Sequence, residues 1–219
     1  MNKEIQRVYH SNDLDGVHIN APNSLRAAAW VVGNKHALSP EGSLLDSKKG
    51  PVKSWFASII HNGRKSTSDS LAGLSEFSCI AETHGLEMVK AATTGRTSEI
   101  HESTLDFLEL NGYSKHFSEI NLNPDKKNHS WKENVARRKL DEGYDMVVHL
   151  DDDIRAAMTV ARVDEYRVIV FLIKNWSNAK PLLWIGEKRG LQLPPNIYFA
   201  DDVLDASRIF EQAILEKVA

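Results

Sequence analysis

The chain has 219 residues, 42% of them hydrophobic and 26% charged, with a formal net charge of -3. This is enough apolar material for one sizeable core with a small appended lobe, and it excludes both a disordered chain and a protein held to nucleic acid or membrane by bulk positive charge. The single cysteine, Cys79, excludes an internal disulfide, and its setting in "LSEFSCIAETHG" predicts a buried structural thiol on the apolar side of a helix.

Val8 to Ser11 reads as the end of a strand, although "YHSN" is more polar than a buried central strand should be. A helix is expected over "SLRAAAWVV", irregular structure over "HALSPEGSLLDSKKGP", and a second helix from Pro51 through "VKSWFASII". The next helix starts around Ser68–Asp69 and runs to His84, where Gly85 supplies a stop. "LEMVKAAT" then reads as a strand running into "TGR", and "SEIHESTLDFLELNG" as a helix ended by Gly112. "HFSEINLN" is a short strand. "SWKENVARRKLDEG" is a helix opened by a capping box, Ser130 with Glu133, and closed by Gly143.

"YDMVVHL" is a strand, followed by Asp151-Asp152-Asp153 and a helix through "IRAAMTVAR". "YRVIVFLI" and "IYFA" are further strands separated by a loop, and "LDASRIFEQAILEKV" is a closing helix. The longest apolar run is of strand length and "MNKEIQRVYHSND" lacks the apolar core of a secretory signal, so a soluble, cytoplasmic protein without membrane partners is expected. The alternation of strand and helix from about residue 86 predicts an α/β fold with a Rossmann-like, doubly wound, mainly parallel sheet. Ligands of such sheets bind beyond the carboxyl ends of the strands.

Three polar clusters sit at predicted strand ends: "DLDG" after the first, "TTGR" after the second, and the acidic triplet after a later one. Lys132 lies in the first turn of a capped helix. Carboxylates gathered in one crevice repel unless a cation lies between them, which points to a divalent metal, Mg²⁺ by its preference for oxygen ligands. A hydroxyl, a lysine and backbone amides beside that metal suit a phosphoryl group. Taken separately, each cluster also has a bland explanation: a solvated turn for Asp13 and Asp15, a strand-to-helix loop for "TTGR", a surface lysine for Lys132. Asp153 is explained by helix capping. His61, His101, His129 and His149 lack the paired spacing of metal ligands, and His149 reads as a strand residue beside the site.

In chain order, "DLDGV", "TTGR", Lys132 and Asp151-Asp152 resemble the four motifs of the haloacid dehalogenase superfamily of phosphotransferases. More narrowly, "DLDGVHINAPNSLRAAAW" is similar to the opening of the Swiss Army knife RNA-repair-like group, and "TTGR" and "DDD" resemble the phosphatase half of polynucleotide kinase-phosphatases. The superfamily resemblance implies that Asp13 is a nucleophile forming an aspartyl-phosphate and that Asp15 is the acid and base. It implies Thr94, with Thr93 as the alternative, on a phosphate oxygen, and Lys132, with Lys126 and Lys127 nearby, beside nucleophile and phosphate. Leu14, Gly95 and Arg96 would contact substrate. Mg²⁺ would be held by Asp13, the backbone carbonyl of Asp15, and one or both of Asp151 and Asp152.

The resemblance divides the chain into a core, residues 1–17 and 67–219, and a small, mostly helical cap at 18–66. The cap segment concentrates Lys48, Lys49, Lys53, Arg64 and Lys65 around Trp55 and Phe56, a lining that suits a nucleotide or nucleic-acid end, though a solvated face explains it too. The implied activity is hydrolysis of a small-molecule phosphomonoester or a phosphorylated nucleic-acid end, with oligomeric state left open. Two other readings fit the residues: a metal-dependent nucleotide-sugar transferase using "VVHLDDD", which leaves "DLDGV" unexplained, and a non-catalytic binding module on the same scaffold.

Overall fold

The computed structural model describes residues 5–15, 17–20, 65–66, 69–98, 101–124, 130–173 and 193–218. Their elements are β1 (Arg7–Asn12), β2 (Ile19–Asn20), β3 (Lys65–Ser66), α1 (Ser70–Thr83), β4 (Glu87–Thr97), α2 (His101–Leu110), β5 (Glu119–Asn123), α3 (Trp131–Asp141), β6 (Met146–Asp151), α4 (Ile154–Ala161), β7 (Val168–Ile173), β8 (Ile197–Ala200) and α5 (Val203–Val218). Six strands form one sheet in the order β5-β4-β1-β6-β7-β8, every pair parallel. Helices cover both faces, which is why β6 "MVVHLD" and β7 "VIVFLI" are buried at every position.

Side-chain alternation sorts the core. Tyr9 and Val147 face α3 and α4 together with Trp131, Val135 and Ala157. Val8, Val148 and Phe171 face the other way, against Phe77 of α1 and Phe210 of α5. A third cluster joins Leu14 and Ala92 to Phe107 and Leu108 of α2. Glycines 85, 112 and 143, the expected stops, all adopt positive φ, the left-handed conformation that ends a helix without a Cβ clash.

The α1–α5 contact depends on Gly73. A Cβ built there would lie 2.5 Å from the carbonyl carbon of Val203, which is backbone and cannot swing aside. Gly73→Ala raises helix propensity by about 1 kcal/mol, but overpacking of this kind costs about 1–3 kcal/mol. Thermal unfolding should therefore show a lower Tm for Gly73→Ala; an unchanged or higher Tm would mean the helices part freely.

Three expectations need correction. The strand expected to end near Thr93 continues to Thr97, because β5 still pairs with it, Asn123 opposite Thr97, after a register shift beyond Thr94. Ser130 occupies the N-cap position of α3, but its side chain makes no capping hydrogen bond; its φ of -97° and ψ of 8° are not the extended conformation of a capping residue. Cys79 is exposed. Helix α1 buries Leu74, Phe77 and Ile80, and a residue two past Phe77 sits about 200° around the helix from it.

The expected helices at 24–32 and from Pro51, and most of the loop before β8, lie outside the described residues. What is described of the segment between β1 and α1 is its two ends: β2 pairs antiparallel with β3, Ile19 opposite Ser66 and Asn20 opposite Lys65. The chain thus leaves the core and returns to it at adjoining points. Among the described residues no helix is long and apolar enough to cross a membrane.

Candidate active site

Parallel pairing of β1 with both β4 and β6 brings three strand ends together. Asn12 is opposite Ala92 on one side and Leu150 on the other, and the Asp13 N–H donates to the Leu150 carbonyl at 2.8 Å. Asp13 therefore leaves the sheet at the level of Thr93 and Asp151. Side chains one apart point to opposite faces, so Asp13 and Asp151 project toward α3 while Asn12 and Leu150 project away.

The carboxylates of Asp13, Asp151 and Asp152 come within 4.8 Å of one another, all three buried. Lys132, in the first turn of α3, bridges two of them, with Nζ 3.2 Å from Asp13 Oδ2 and 2.7 Å from Asp151 Oδ2. Burial opposes the Lys132 ammonium, yet the two carboxylates outweigh it and hold the lysine above its ordinary value. Burial pushes Asp13 up to about 7, against the pull of Lys132 and with added repulsion from Asp151 and Asp152. For Asp151, burial acts upward, but Lys132 and the His149 N–H carry it below the usual carboxylate range.

A divalent cation fits this arrangement. Three carboxylates and one ammonium leave two negative charges in a water-poor crevice, the balance such an ion neutralises. Among the described residues Asp13 Oδ1 is buried without a hydrogen-bond partner, a costly state that a metal would relieve. The donors are all oxygens, which suits Mg²⁺.

Asp15 is held differently. Arg96 grips it with both prongs, Nε to Oδ2 at 2.9 Å and the second nitrogen to Oδ1 at 3.0 Å, while donating a further bond to Thr104 at 3.3 Å. The Arg96 side chain is 2% exposed, and burial lowers it to about 10, still a cation at neutral pH. The Arg96 N–H donates to Thr94 Oγ1 at 3.3 Å, leaving that hydroxyl's proton for another acceptor. Thr93 Oγ1 accepts from Asn121 at 3.4 Å. Gly95 is exposed, and a Cβ there would meet nothing within 4 Å. The Leu14 side chain is buried in the α2 cluster, so only its backbone can face a ligand.

The polar run "YHSN" in β1 has a place for each residue. The Tyr9 hydroxyl donates to Glu119 at 3.0 Å, and Ser11 meets His149 Nδ1 at 3.0 Å. His149 Nε2 in turn lies 2.9 Å from Asp151 Oδ2, and burial holds its ring below its ordinary pKa against the pull of Asp151. Asn12 donates to the carbonyls of His10 and Ala91 and meets His18 Nε2 at 3.2 Å. His18 continues to Ser70, whose hydroxyl also accepts from Tyr113 at 3.0 Å. This network ties the segment after Asp13 to α1. Sequence reading missed it, and the one available signal was the excess polarity of a strand that had to be central.

His10 stacks on Phe77 with ring centroids 4.0 Å apart, and neither ring nitrogen has a partner among the described residues. Burial, reinforced by Lys90, holds it well below its ordinary value, and burial takes His18 down to about 3. The unfolded chain therefore binds protons near pH 6.5 that the folded rings refuse, and stability falls as pH drops below that point. Each ring contributes up to about 1.4 kcal/mol per pH unit. Urea midpoints should fall between pH 7.5 and 5.5, and His10→Leu should both raise the midpoint and flatten the slope. A slope unchanged by His10→Leu would show that this ring does not titrate with unfolding.

No family model and no curated protein matches the sequence. Solved structures do match. A hydrolase of the haloacid dehalogenase-like family from Streptococcus pneumoniae aligns over 94% of this chain and 99% of its own, with a TM-score of 0.60 and 13% identity. A candidate β-phosphoglucomutase from Thermotoga maritima aligns over 95% and 99%, with a TM-score of 0.55 and 14% identity. A predicted phosphoglycolate phosphatase from Haemophilus somnus aligns over 95% and 99%, with a TM-score of 0.53 and 15% identity. The chain has the fold these proteins share, the α/β fold of haloacid dehalogenase-like hydrolases.

Proposed function

We propose that this chain, built on the haloacid dehalogenase-like fold, is a Mg²⁺-dependent phosphomonoester hydrolase that works through an aspartyl-phosphate on Asp13. The observation that carries the reading is the buried Asp13–Asp151–Asp152 group bridged by Lys132, with Asp13 Oδ1 lacking a partner among the described residues. Asp13, Asp151, Asp152 and the carbonyl of Asp15 would hold Mg²⁺, which when bound supplies positive charge against the phosphoryl oxygens.

In the first half-reaction an Asp13 carboxylate oxygen attacks phosphorus in line and the bond to the substrate oxygen breaks; Asp15, which exchanges one of its two Arg96 contacts for a proton on substrate binding, gives that oxygen the proton. In the second, Asp15 takes a proton from water as the water oxygen attacks phosphorus, releasing phosphate and restoring Asp13. Lys132 screens nucleophile and phosphate, and the Thr94 hydroxyl donates to a phosphate oxygen. Arg96, fastened to Asp15, orients that carboxylate toward the leaving oxygen, while the backbone at Leu14 and Gly95 borders the phosphate.

Residues 18–66, whose ends meet in the β2–β3 ribbon, would form the cap that selects the substrate. The basic and aromatic residues of that segment favour a nucleotide or phosphorylated nucleic-acid end within the class. The presence of Asp13 inside the acidic group weighs against a sugar-nucleotide transferase, which would leave it without a task.

The test is phosphate release from nucleotides, sugar phosphates, and 3′- and 5′-phosphorylated oligonucleotides, with Mg²⁺ and with chelator. Release that requires Mg²⁺ from at least one class is expected. A folded chain that releases phosphate from none of them with Mg²⁺ present overturns the proposal.

A further inference from the structure

Beneath the acidic group lies a pair of polar residues that the reaction does not use. Ser11 and His149 are opposite each other in the β1–β6 register, on the same face as Asp13 and Asp151 and one step below them. Both are buried, at 3% and 1% exposure, and His149 sits between the apolar Val148 and Leu150 of β6. An aliphatic residue would fill either position at lower desolvation cost, so the hydrogen bonds need another explanation.

The bonds at Asp151 supply one. An ionised carboxylate offers about four lone-pair positions. On Oδ2, Lys132 takes one at 2.7 Å and His149 Nε2 the other at 2.9 Å. On Oδ1, the Asp153 N–H takes one at 2.9 Å. Among the described residues, the position left open is on Oδ1. Because the carboxylate only accepts, Nε2 carries the hydrogen, and Nδ1 of the neutral ring then accepts from the Ser11 hydroxyl at 3.0 Å. Ser11 thus selects the tautomer that donates to Asp151.

We propose that His149, oriented by Ser11, is a positioning residue that fixes the rotation of the Asp151 carboxylate so that Oδ1 alone is presented to the cation. Removing the His149 N–H frees a lone pair on Oδ2, lets the carboxylate turn about its Cβ–Cγ bond, and leaves Lys132 as its sole side-chain restraint among the described residues. The inference rests on the reading of Asp13, Asp151 and Asp152 as a metal site, and it adds that the strand beneath that site sets its affinity.

The experiment is direct titration of the full chain with Mn²⁺, followed by the electron paramagnetic resonance signal of the free ion, for wild type, Ser11→Ala, His149→Leu and His149→Gln. The Mg²⁺ activation constant and substrate KM for phosphate release accompany it. His149→Leu should weaken Mn²⁺ binding by about 10- to 100-fold, the usual effect of removing a partner behind a metal ligand. Ser11→Ala should weaken it by a smaller factor, and His149→Gln, whose amide N–H can stand where Nε2–H stood, should recover most of the loss. The Mg²⁺ activation constant should rise in step while substrate KM stays near wild type.

Folded His149→Leu and Ser11→Ala proteins with wild-type Mn²⁺ affinity overturn the inference, as does a glutamine variant no better than leucine. If His149→Leu does not fold, wild-type affinity in Ser11→Ala is sufficient to overturn it. A wild-type chain that binds no Mn²⁺ overturns the metal-site reading itself, a result distinct from equal binding by all four proteins.

Discussion

Asp13→Asn is expected to abolish phosphate release and, in the presence of chelator, to raise thermal stability. The amide is nearly the shape of the carboxylate, so packing at the end of β1 survives, and its oxygen can still face Lys132. It cannot form the acyl-phosphate, and the loss in kcat should be on the order of 10⁴-fold or more. The stability gain follows from Asp13 being pushed up to about 7 in the fold. An aspartate ordinarily titrates near 4, so between there and about 7 the folded state binds the extra proton, and the contribution of Asp13 to stability falls as pH rises through that window, opposing the trend set by His10 and His18 below pH 6.5. Above it the charged Asp13 costs up to about 4 kcal/mol, which the amide avoids. Activity lost together with a Tm raised at pH 8 would distinguish a missing nucleophile from a damaged fold. Wild-type activity in Asp13→Asn would remove the nucleophile assignment.

Lys132→Met should have the opposite effect on stability. Lys132 supplies positive charge to both Asp13 and Asp151, and its side chain is 10% exposed. Removing one partner of a buried pair leaves uncompensated charge and costs about 3–5 kcal/mol, where the same change at a surface pair costs under about 1. The expected result is a strongly lowered Tm in chelator and partial recovery with Mg²⁺, because a divalent cation replaces part of the missing charge. Phosphate release should fall even where Mg²⁺ restores the fold, since Lys132 also faces the phosphate in the proposed reaction. A Tm within experimental error of wild type would place Lys132 at the surface in solution and reopen the choice among it, Lys126 and Lys127.

The two variants pull stability in opposite directions for one reason. Four ionisable groups are held in a crevice where charge is poorly solvated, and the local balance is negative by two. A site so arranged is strained unless a cation neutralises it. The Gly73 contact, by comparison, shows packing that serves the fold without touching the site: α1 must lie close on α5 to cover the sheet.

Much of this was legible along the chain because it is local. Apolar runs at period two, helical faces at period 3.6 and glycines at left-handed stops are written within a few residues of each other, so the order of strands and helices from Glu87 onward followed from the sequence. Strand "YDMVVHL" and the acidic triplet after it were equally plain, with Asp151 proving to be the last residue of that strand. Local signals misled where tertiary contacts set the outcome. Cys79 lies among apolar residues but on the outward turn of α1, and β4 runs on past Thr93 because β5 still offers it a partner.

The sequence by itself determined that acidic, hydroxyl and basic residues stand at strand ends in a chain with the periodicity of a parallel α/β fold. Only the tertiary structure decided which of them meet. Strand order is a long-range property: placing β1 between β4 and β6 brings Asp13 beside Asp151, although 138 positions separate Ser11 from its partner His149. It likewise decided that Arg96 is fastened to Asp15, that Lys132 lies between two carboxylates, and that Tyr9, Ser11 and Asn12 of "YHSN" find hydrogen-bond partners while His10 stacks on Phe77. Propensity is a property of neighbours in the chain. Charge balance and hydrogen-bond satisfaction belong to neighbours in space, and the fold alone supplies those.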